Sequence, residues 1–429
     1  MRFLSSEVAA STGGRLAGPD VALEGASFDS RTVLPGQLFV PIVAERDGHD
    51  FIAAALAAGA GAYLTSHPPA AGTAVVVEDT AVALLDLARW ARSRLTGQVV
   101  GITGSVGKTS VKDLVAAVLG TTLRTSANQR SFNNEQGMPV TVLGARDDVE
   151  VLVVEMGMRG FGEIARLCEV ARPTIGVVTA VAEAHSERVG GIEGVARAKG
   201  ELVESLPSDG TAILNADQPI VLALRSRTTA RIVTFGRDSG DVHAVDVRLD
   251  DRARPSFTLV TPAGSVGVRL PVSGAHMVAN ACAAAAVGVT VGVPLERIAD
   301  GLAGASLSPW RMEVRTTSTG AVVVNDAYNA NPTSMRAALD ALASLPAQRR
   351  VAVLGLMAEI SDAAAAHRAV AGYAAERGIE VVAVGTDLYG IDPFASVDDV
   401  VLSVAGGDAV LVKGSRVAGL ERLAARLLG

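Results

Sequence analysis

The segment Gln98-Val-Val-Gly-Ile-Thr-Gly-Ser-Val-Gly-Lys-Thr-Ser110 constrains the fold more than any other part of the chain. An apolar run enters it, glycines interrupt it, and helical periodicity leaves it over Thr109–Leu119. A buried strand that passes through glycines into a helix N-terminus turns its backbone N–H groups toward one point. That makes a cradle for phosphate oxygens. The expected nucleotide contacts are Thr103, Gly104, Ser105, Val106, Gly107, Lys108 and Thr109. In such a loop the lysine, here Lys108, reaches the β- and γ-phosphates, and the hydroxyl after it, here of Thr109, ligates Mg²⁺. The usual first glycine of the pattern would fall at Ile102; Gly104 sits midway instead, giving a TGSxGKT form. A nucleoside triphosphate is implied, but not what becomes of its γ-phosphate.

The surroundings extend the β-α alternation. Strands are expected at Val149–Glu155, Thr174–Val181 and Thr211–Asn215, with helices at Phe161–Val170 and Ile192–Leu206 between them. Such alternation predicts a parallel sheet covered by helices. Residues 241–270 change to three alternating runs, read as an antiparallel insert, and an Ala-rich helix over Gly274–Gly288 closes the unit. The stretch SLSPWRME (306–313) reads as a linker, because Ser and Pro separate two periodic regions. Beyond it, strands are expected at Ala321–Asn325, Arg350–Leu354, Glu380–Val384 and Ala409–Val412, and helices at Ser334–Leu345, Ala363–Arg377 and Val417–Leu428. Before Gln98, short strands at Leu38–Ile42 and Ala74–Val77 and helices at Asp50–Gly61 and Ala81–Leu95 predict a small α/β unit. Three domains result: 1–97, 98–308 and 309–429, as 429 residues would suggest at roughly 150 per domain.

Composition removes several classes. The net charge of −7 argues against a nucleic-acid partner. Two cysteines, Cys168 and Cys282, each in apolar helix-like sequence, exclude a disulfide framework and predict buried thiols in a reducing cytoplasm. The start MRFLSSEVAA lacks the order of a signal peptide. The longest apolar candidate, Ala279–Val293, is too short and Gly-interrupted for a membrane span and reads as a buried helix.

The TGSxGKT loop resembles that of the Mur ligase superfamily, and further segments resemble it in order along almost the whole chain. They are DSRTVLPGQLFVPI (29–42), DGHDF (47–51), SFNNEQGMPVTVL (131–143), VEMGMRGFGEIARL (154–167), AHSE (184–187), RAKGELVESL (197–206), NADQP (215–219), GAHMVANACAA (274–284), WRME (310–313), NDAYNANPTSM (325–335) and KGSR (413–416). NDAYNANPTSM and SFNNEQGMP are the most specific. They point to the branch that adds D-alanyl-D-alanine to a UDP-N-acetylmuramoyl tripeptide. The resemblance implies an α/β fold with a small N-terminal UDP-substrate domain, a central P-loop ATPase domain with a parallel sheet, and a C-terminal Rossmann-like domain. It also implies ATP and Mg²⁺, an acyl-phosphate intermediate, and a cytoplasmic enzyme expected to be a monomer without membrane insertion.

Roles follow by the same resemblance. Glu155 would bind Mg²⁺ with Thr109; His185 and a carbamylated Lys199 would hold a second Mg²⁺. His276 and Asn280, four apart and on one helical face, resemble adenine contacts. Arg311 and Asp326 resemble nucleotide contacts from the C-terminal domain. Tyr328, Asn329 and Asn331 complete the loop after Asp326. Ser30, Arg31, Asp47 and His49 resemble UDP-sugar contacts, and Asn133 and Asn134 substrate or phosphate contacts. Lys413 and Arg416 follow the last strand and could anchor a carboxylate. The chain departs from many members at Ala180, where they carry Asn, and at Leu356, where they carry Asp. Two other readings stay open from the residues alone. One is another ligase of the same fold, of the folylpolyglutamate-synthase or diaminopimelate-adding type. The other is a nucleotide-gated switch, against which the Glu155, His185 and Lys199 set argues.

Overall fold

The structure is a computed structural model that describes residues 1–128, 131–182, 189–358, 360 and 362–429. Six parallel strands form its centre, in the order Arg231–Phe235, Thr211–Asn215, Ile175–Val178, Gln98–Thr103, Val151–Glu155 and Thr125–Ala127. The inner strands are apolar along their middles because helices cover both faces, with polar residues at the ends of Gln98–Thr103, Val151–Glu155 and Thr211–Asn215. Successive residues alternate between two cores. Val100, Ile102, Val151, Val153 and Val177 face the core shared with the helix Lys108–Leu119, while Val99, Leu152, Val154 and Val178 face the one shared with Glu163–Ala171 and Gly191–Glu204.

The Ala-rich segment is a helix over Met277–Val291, and Ala281–Ala286 are fully buried. Small side chains let it lie close against Lys108–Leu119. This helix runs past the expected end at Gly288, and a second, Leu295–Ala303, follows before the unit closes. No helix among the described residues is long and apolar enough to cross a membrane. The insert is antiparallel as expected, with strands His243–Leu249, Pro255–Thr261 and Gly264–Arg269.

The N-terminal unit holds a five-stranded sheet that includes Leu38–Phe39, Ala62–Thr65 and Ala74–Val76. The helix expected over Asp50–Gly61 is a 3-10 turn, Gly48–Phe51, and a short helix, Ile52–Ala57; Ala62–Thr65 returns as a buried strand. Residues of this unit share a core with the central one: Leu84 and Leu87 lie in the same cluster as Leu143 and Leu167. The Met1 amino group donates to the Ala145 carbonyl at 2.6 Å. Buried side chains from both sides of residue 97 thus belong to one core.

The C-terminal sheet runs Glu313–Thr316, Val322–Asn325, Asp408–Lys413, Arg349–Leu354 and Glu380–Ala383, parallel except for its first pair. Glu313–Thr316 begins within the expected linker, because its antiparallel pairing to Val322–Asn325 needs no apolar run. Both cysteines are buried and unbridged, and burial pushes the Cys168 thiol up to about 12 and that of Cys282 higher still.

Candidate active site

Parallel sheets present ligand groups at the carboxyl ends of their strands. Here Thr103, Glu155, Thr179 and Asn215 end four neighbouring strands or follow them directly. The loop 104–107 passes over them into the helix Lys108–Leu119. Gly104 has φ +155°, and a Cβ there would lie 1.9 Å from the Thr179 hydroxyl. Gly107 has φ +83°, and a Cβ there would meet the Asn280 side-chain oxygen at 2.8 Å. Neither position accepts a larger residue without a shift, which is why glycines hold this turn.

The loop opens into a cavity of about 770 Å³. Its walls come from the phosphate loop, the segment 131–136, Glu155, Lys199, the start of the helix Met277–Val291, and the C-terminal unit. The structure brings together here Gly104 to Thr109, Asn133, Asn134, Glu155, Lys199, His276, Asn280, Arg311, Asp326, Tyr328, Asn329, Asn331, Lys413 and Arg416. Thr103 lies beneath, fully buried, its hydroxyl donating to the Met156 carbonyl at 2.9 Å. His185, within 183–188, lies outside the described residues. Ser30, Arg31, Asp47 and His49 do not line this cavity.

The centre is a dense polar knot. The Thr109 hydroxyl donates to Glu155 Oε2 at 2.7 Å, and Asn133 Nδ2 donates to Glu155 Oε1 at 2.7 Å. Arg311 Nη2 donates to the Thr109 hydroxyl at 2.7 Å and to the Ser131 hydroxyl at 3.1 Å, and its guanidinium lies 4.3 Å from the Tyr328 ring centre. Lys108 Nζ donates to the Gly104 carbonyl at 2.8 Å. The sequence expectations name Asn133 and Asn134 but not Ser131, whose only signal is that it opens the SFNN run. Asn134, also on the cavity wall, accepts through Oδ1 from the Gly137 N–H at 2.9 Å and the Gln136 N–H at 3.2 Å.

Two buried polar atoms on the cavity lining, His276 Nδ1 and Arg311 Nε, have no hydrogen-bond partner among the described residues. Such atoms cost about 1–3 kcal/mol unless something meets them. They sit where a nucleotide would supply acceptors and donors. The oxygen set of Thr109, Ser131 and Glu155 matches what a hard divalent cation takes. Lys199 is 3% exposed, and burial, with Lys108 nearby, holds its amine well below the usual lysine range. Burial likewise lowers the His276 pKa, against the opposing charge of Asp326.

On the C-terminal side Lys413 is buried and donates to Asp326 Oδ2 at 2.5 Å and to the Asn329 carbonyl at 3.0 Å. Arg416 pairs with Glu421 at 2.7 Å and lies 4.3 Å from the Trp310 ring centre. Asn331 caps the helix Pro332–Ser344, accepting from the Ser334 N–H. In the N-terminal unit Arg31 pairs with Asp29. Asp47, His49 and His67 cluster there, but both ring nitrogens of His49 already have partners, Asp47 at 2.6 Å and the Ser66 N–H at 3.1 Å. That network accounts for the cluster without an ion. Phe28 packs on Phe132 at 5.5 Å, joining the segment with Ser30 and Arg31 to the one with Asn133.

A phosphate loop on a parallel sheet, met by an arginine from a trailing α/β unit, defines the nucleotide-dependent enzyme class of the Mur ligases. The Mur ligase middle domain matches residues 102–288, and the Mur ligase glutamate ligase domain matches residues 310–407. The UDP-N-acetylmuramoyl-tripeptide–D-alanyl-D-alanine ligase of Mycobacterium bovis is 43% identical over 84% of this chain and 77% of its own length. A crystal structure of MurF from Acinetobacter baumannii superposes with a TM-score of 0.89 at 29% identity, covering 100% of this chain and 99% of that one. MurF from Thermotoga maritima in complex with ADP superposes with a TM-score of 0.77 at 27% identity, covering 93% and 96%. The chain belongs to the UDP-N-acetylmuramoyl-tripeptide–D-alanyl-D-alanine ligase family, MurF.

Proposed function

We propose that the protein uses ATP to join D-alanyl-D-alanine to the terminal carboxylate of a UDP-N-acetylmuramoyl tripeptide, giving the UDP-muramoyl pentapeptide for peptidoglycan. The observation that carries the reading is the meeting of Thr109, Glu155 and Arg311 at the phosphate loop, in a chain of this family.

A carboxylate does not react with amines at neutral pH. Transfer of the γ-phosphoryl group makes an acyl phosphate; the dipeptide amine attacks the carbonyl and inorganic phosphate leaves. The difficulty is negative charge, because the attacking carboxylate meets a phosphate chain. Lys108 and Arg311 offset it, and cations fixed in advance act most strongly on charge that develops in the transition state. Thr109 and Glu155, with Ser131 beside them, would hold Mg²⁺, which adds Lewis-acid stabilisation when bound. Lys199 and His185 would hold a second Mg²⁺, with Lys199 carbamylated. Only an unprotonated amine adds CO₂, and the lowered pKa of Lys199 supports that state. His276 and Asn280 would meet the adenine, and Asp326 would steady the nucleotide from the other side.

Residues 1–97 would take the UDP-sugar through Ser30, Arg31, Asp47 and His49, residues 98–308 the ATP, and residues 309–429 the dipeptide. Asn133, Asn134, Tyr328, Asn329 and Asn331 would border the peptide and phosphate. The protein would act as a monomer in the cytoplasm, where ATP is held. The reaction path is tested by labelling the tripeptide carboxylate with ¹⁸O. One labelled oxygen should appear in the released phosphate; unlabelled phosphate with normal product would exclude the acyl phosphate.

The dipeptide carboxylate needs a cation away from the reacting centre. Lys413 and Arg416 are the candidates: Lys413 is buried against Asp326 and the Asn329 carbonyl, whereas Arg416, paired with Glu421, stays half exposed and offers the planar fork. Arg416→Ala should raise the dipeptide KM by roughly tenfold to a hundredfold, the worth of one charge-assisted anchor, with the ATP KM little changed. An unchanged dipeptide KM in steady-state kinetics would mean the carboxylate is held elsewhere.

A further inference from the structure

We propose that Asp113 is a positioning residue that docks the interdomain linker onto the phosphate-loop helix and so delivers Arg311 to the phosphate site. The inference rests on the ligase reading above. Asp113 lies one turn after Thr109 on the helix Lys108–Leu119, so the two share a face. The Ser308 N–H donates to Asp113 Oδ2 at 2.7 Å, and the Ser308 hydroxyl donates to Oδ1 at 3.2 Å. Three residues further along, Arg311 Nη2 donates to the Thr109 hydroxyl at 2.7 Å. One short stretch of linker is therefore pinned to one helical turn at two points.

Asp113 is itself held firmly. Its side chain is 11% exposed and pairs at 2.8 Å with Lys112 Nζ, which is buried and donates to the Asn128 carbonyl at 2.8 Å. The linker would not keep its path unaided. Trp310 and Met312, on either side of Arg311, have φ of +62° and +49°. Residues with side chains rarely adopt this left-handed conformation unless the surroundings impose it. Asp113 secures the linker before this turn. Asp326 secures it after, its Oδ1 accepting from the Met312 N–H at 3.1 Å. Freed at Ser308, the two residues would relax toward ordinary φ, and Arg311 between them would swing off Thr109.

The test compares Asp113→Ala with Arg311→Ala and the double variant in the full chain. Asp113→Ala should lower kcat for ligation by about tenfold or more. ADP affinity without peptide should change by less than about twofold, because the loop's own contacts remain. In the Arg311→Ala background the same substitution should cost nothing further, since both remove one contact. An unchanged kcat in Asp113→Ala, or an equal additional loss in the Arg311→Ala background, would overturn the inference. If Asp113→Ala unfolds, Ser308→Pro removes the same N–H donor and leaves the Lys112–Asp113 pair intact. Linker docking is also read without turnover. With Trp90→Phe, Trp310 is the only indole, and Asp113→Ala should shift its emission to the red. No shift would count against docking even if the wild-type chain did not ligate, and an inactive wild type would instead remove the ligase reading.

Discussion

Lys108→Ala should reduce ligation by on the order of a thousandfold while leaving the fold intact, because fixed cations at a transferring phosphoryl group supply effects of about that size. The side chain is not part of either central core. It lies on the cavity wall with its ammonium on the Gly104 carbonyl at 2.8 Å, aimed into the space the loop encloses. The backbone N–H groups of 104–109 would survive, so nucleotide should still bind, more weakly. The loss should therefore fall mainly on kcat. Kinetics and a thermal melt together check it, and near-wild-type turnover would remove the phosphate-loop assignment.

Lys199→Ala should lose about a hundredfold or more in kcat, the size seen when one preorganised electrostatic group is removed. Added bicarbonate should not restore the variant, since no amine remains to accept CO₂. A short carboxylic acid supplied in solution should restore part of it by providing an anionic oxygen. The uncarbamylated protein offers a second readout. Burial lowers the Lys199 pKa in the folded state, so the unfolded chain binds the extra proton between that value and the ordinary lysine value of 10.5. Stability should rise with pH across this window, and Lys199→Met should flatten the rise. Full activity in Lys199→Ala, or an unaltered pH profile of stability in Lys199→Met, would mark it as a residue without a special role.

Much of this was legible in the sequence because buried parallel strands and phosphate loops are local signals. The run Gln98–Thr103, the turn after it and the strand Thr211–Asn215 lie where pattern alone puts them. The short elements were not legible. Ala62–Thr65 has too few residues to show a period beside a helix, and Glu313–Thr316 is polar because it pairs at a sheet edge. The helix Gly137–Gly144 begins through Gly137 and Pro139, residues that read as a break although proline is tolerated in a first turn. Many residues named by motif line one cavity, while Ser30, Arg31, Asp47 and His49 do not. Their partners did not show: nothing near Lys413 in sequence announces Asp326, 87 positions away. The Asp113–Ser308 contact, 195 positions apart, and the place of Ser131 against Thr109 and Arg311 exist only once the units are folded together.

The ligation itself is the most direct test. The purified chain is given ATP, Mg²⁺, a UDP-N-acetylmuramoyl tripeptide and D-alanyl-D-alanine, and each component is omitted in turn. Mass spectrometry reads the nucleotide product while released phosphate is counted. The account predicts the UDP-muramoyl pentapeptide and phosphate in equal amounts, with neither formed when the tripeptide or the dipeptide is left out. Phosphate released at the same rate without either acceptor, and no pentapeptide, would contradict it.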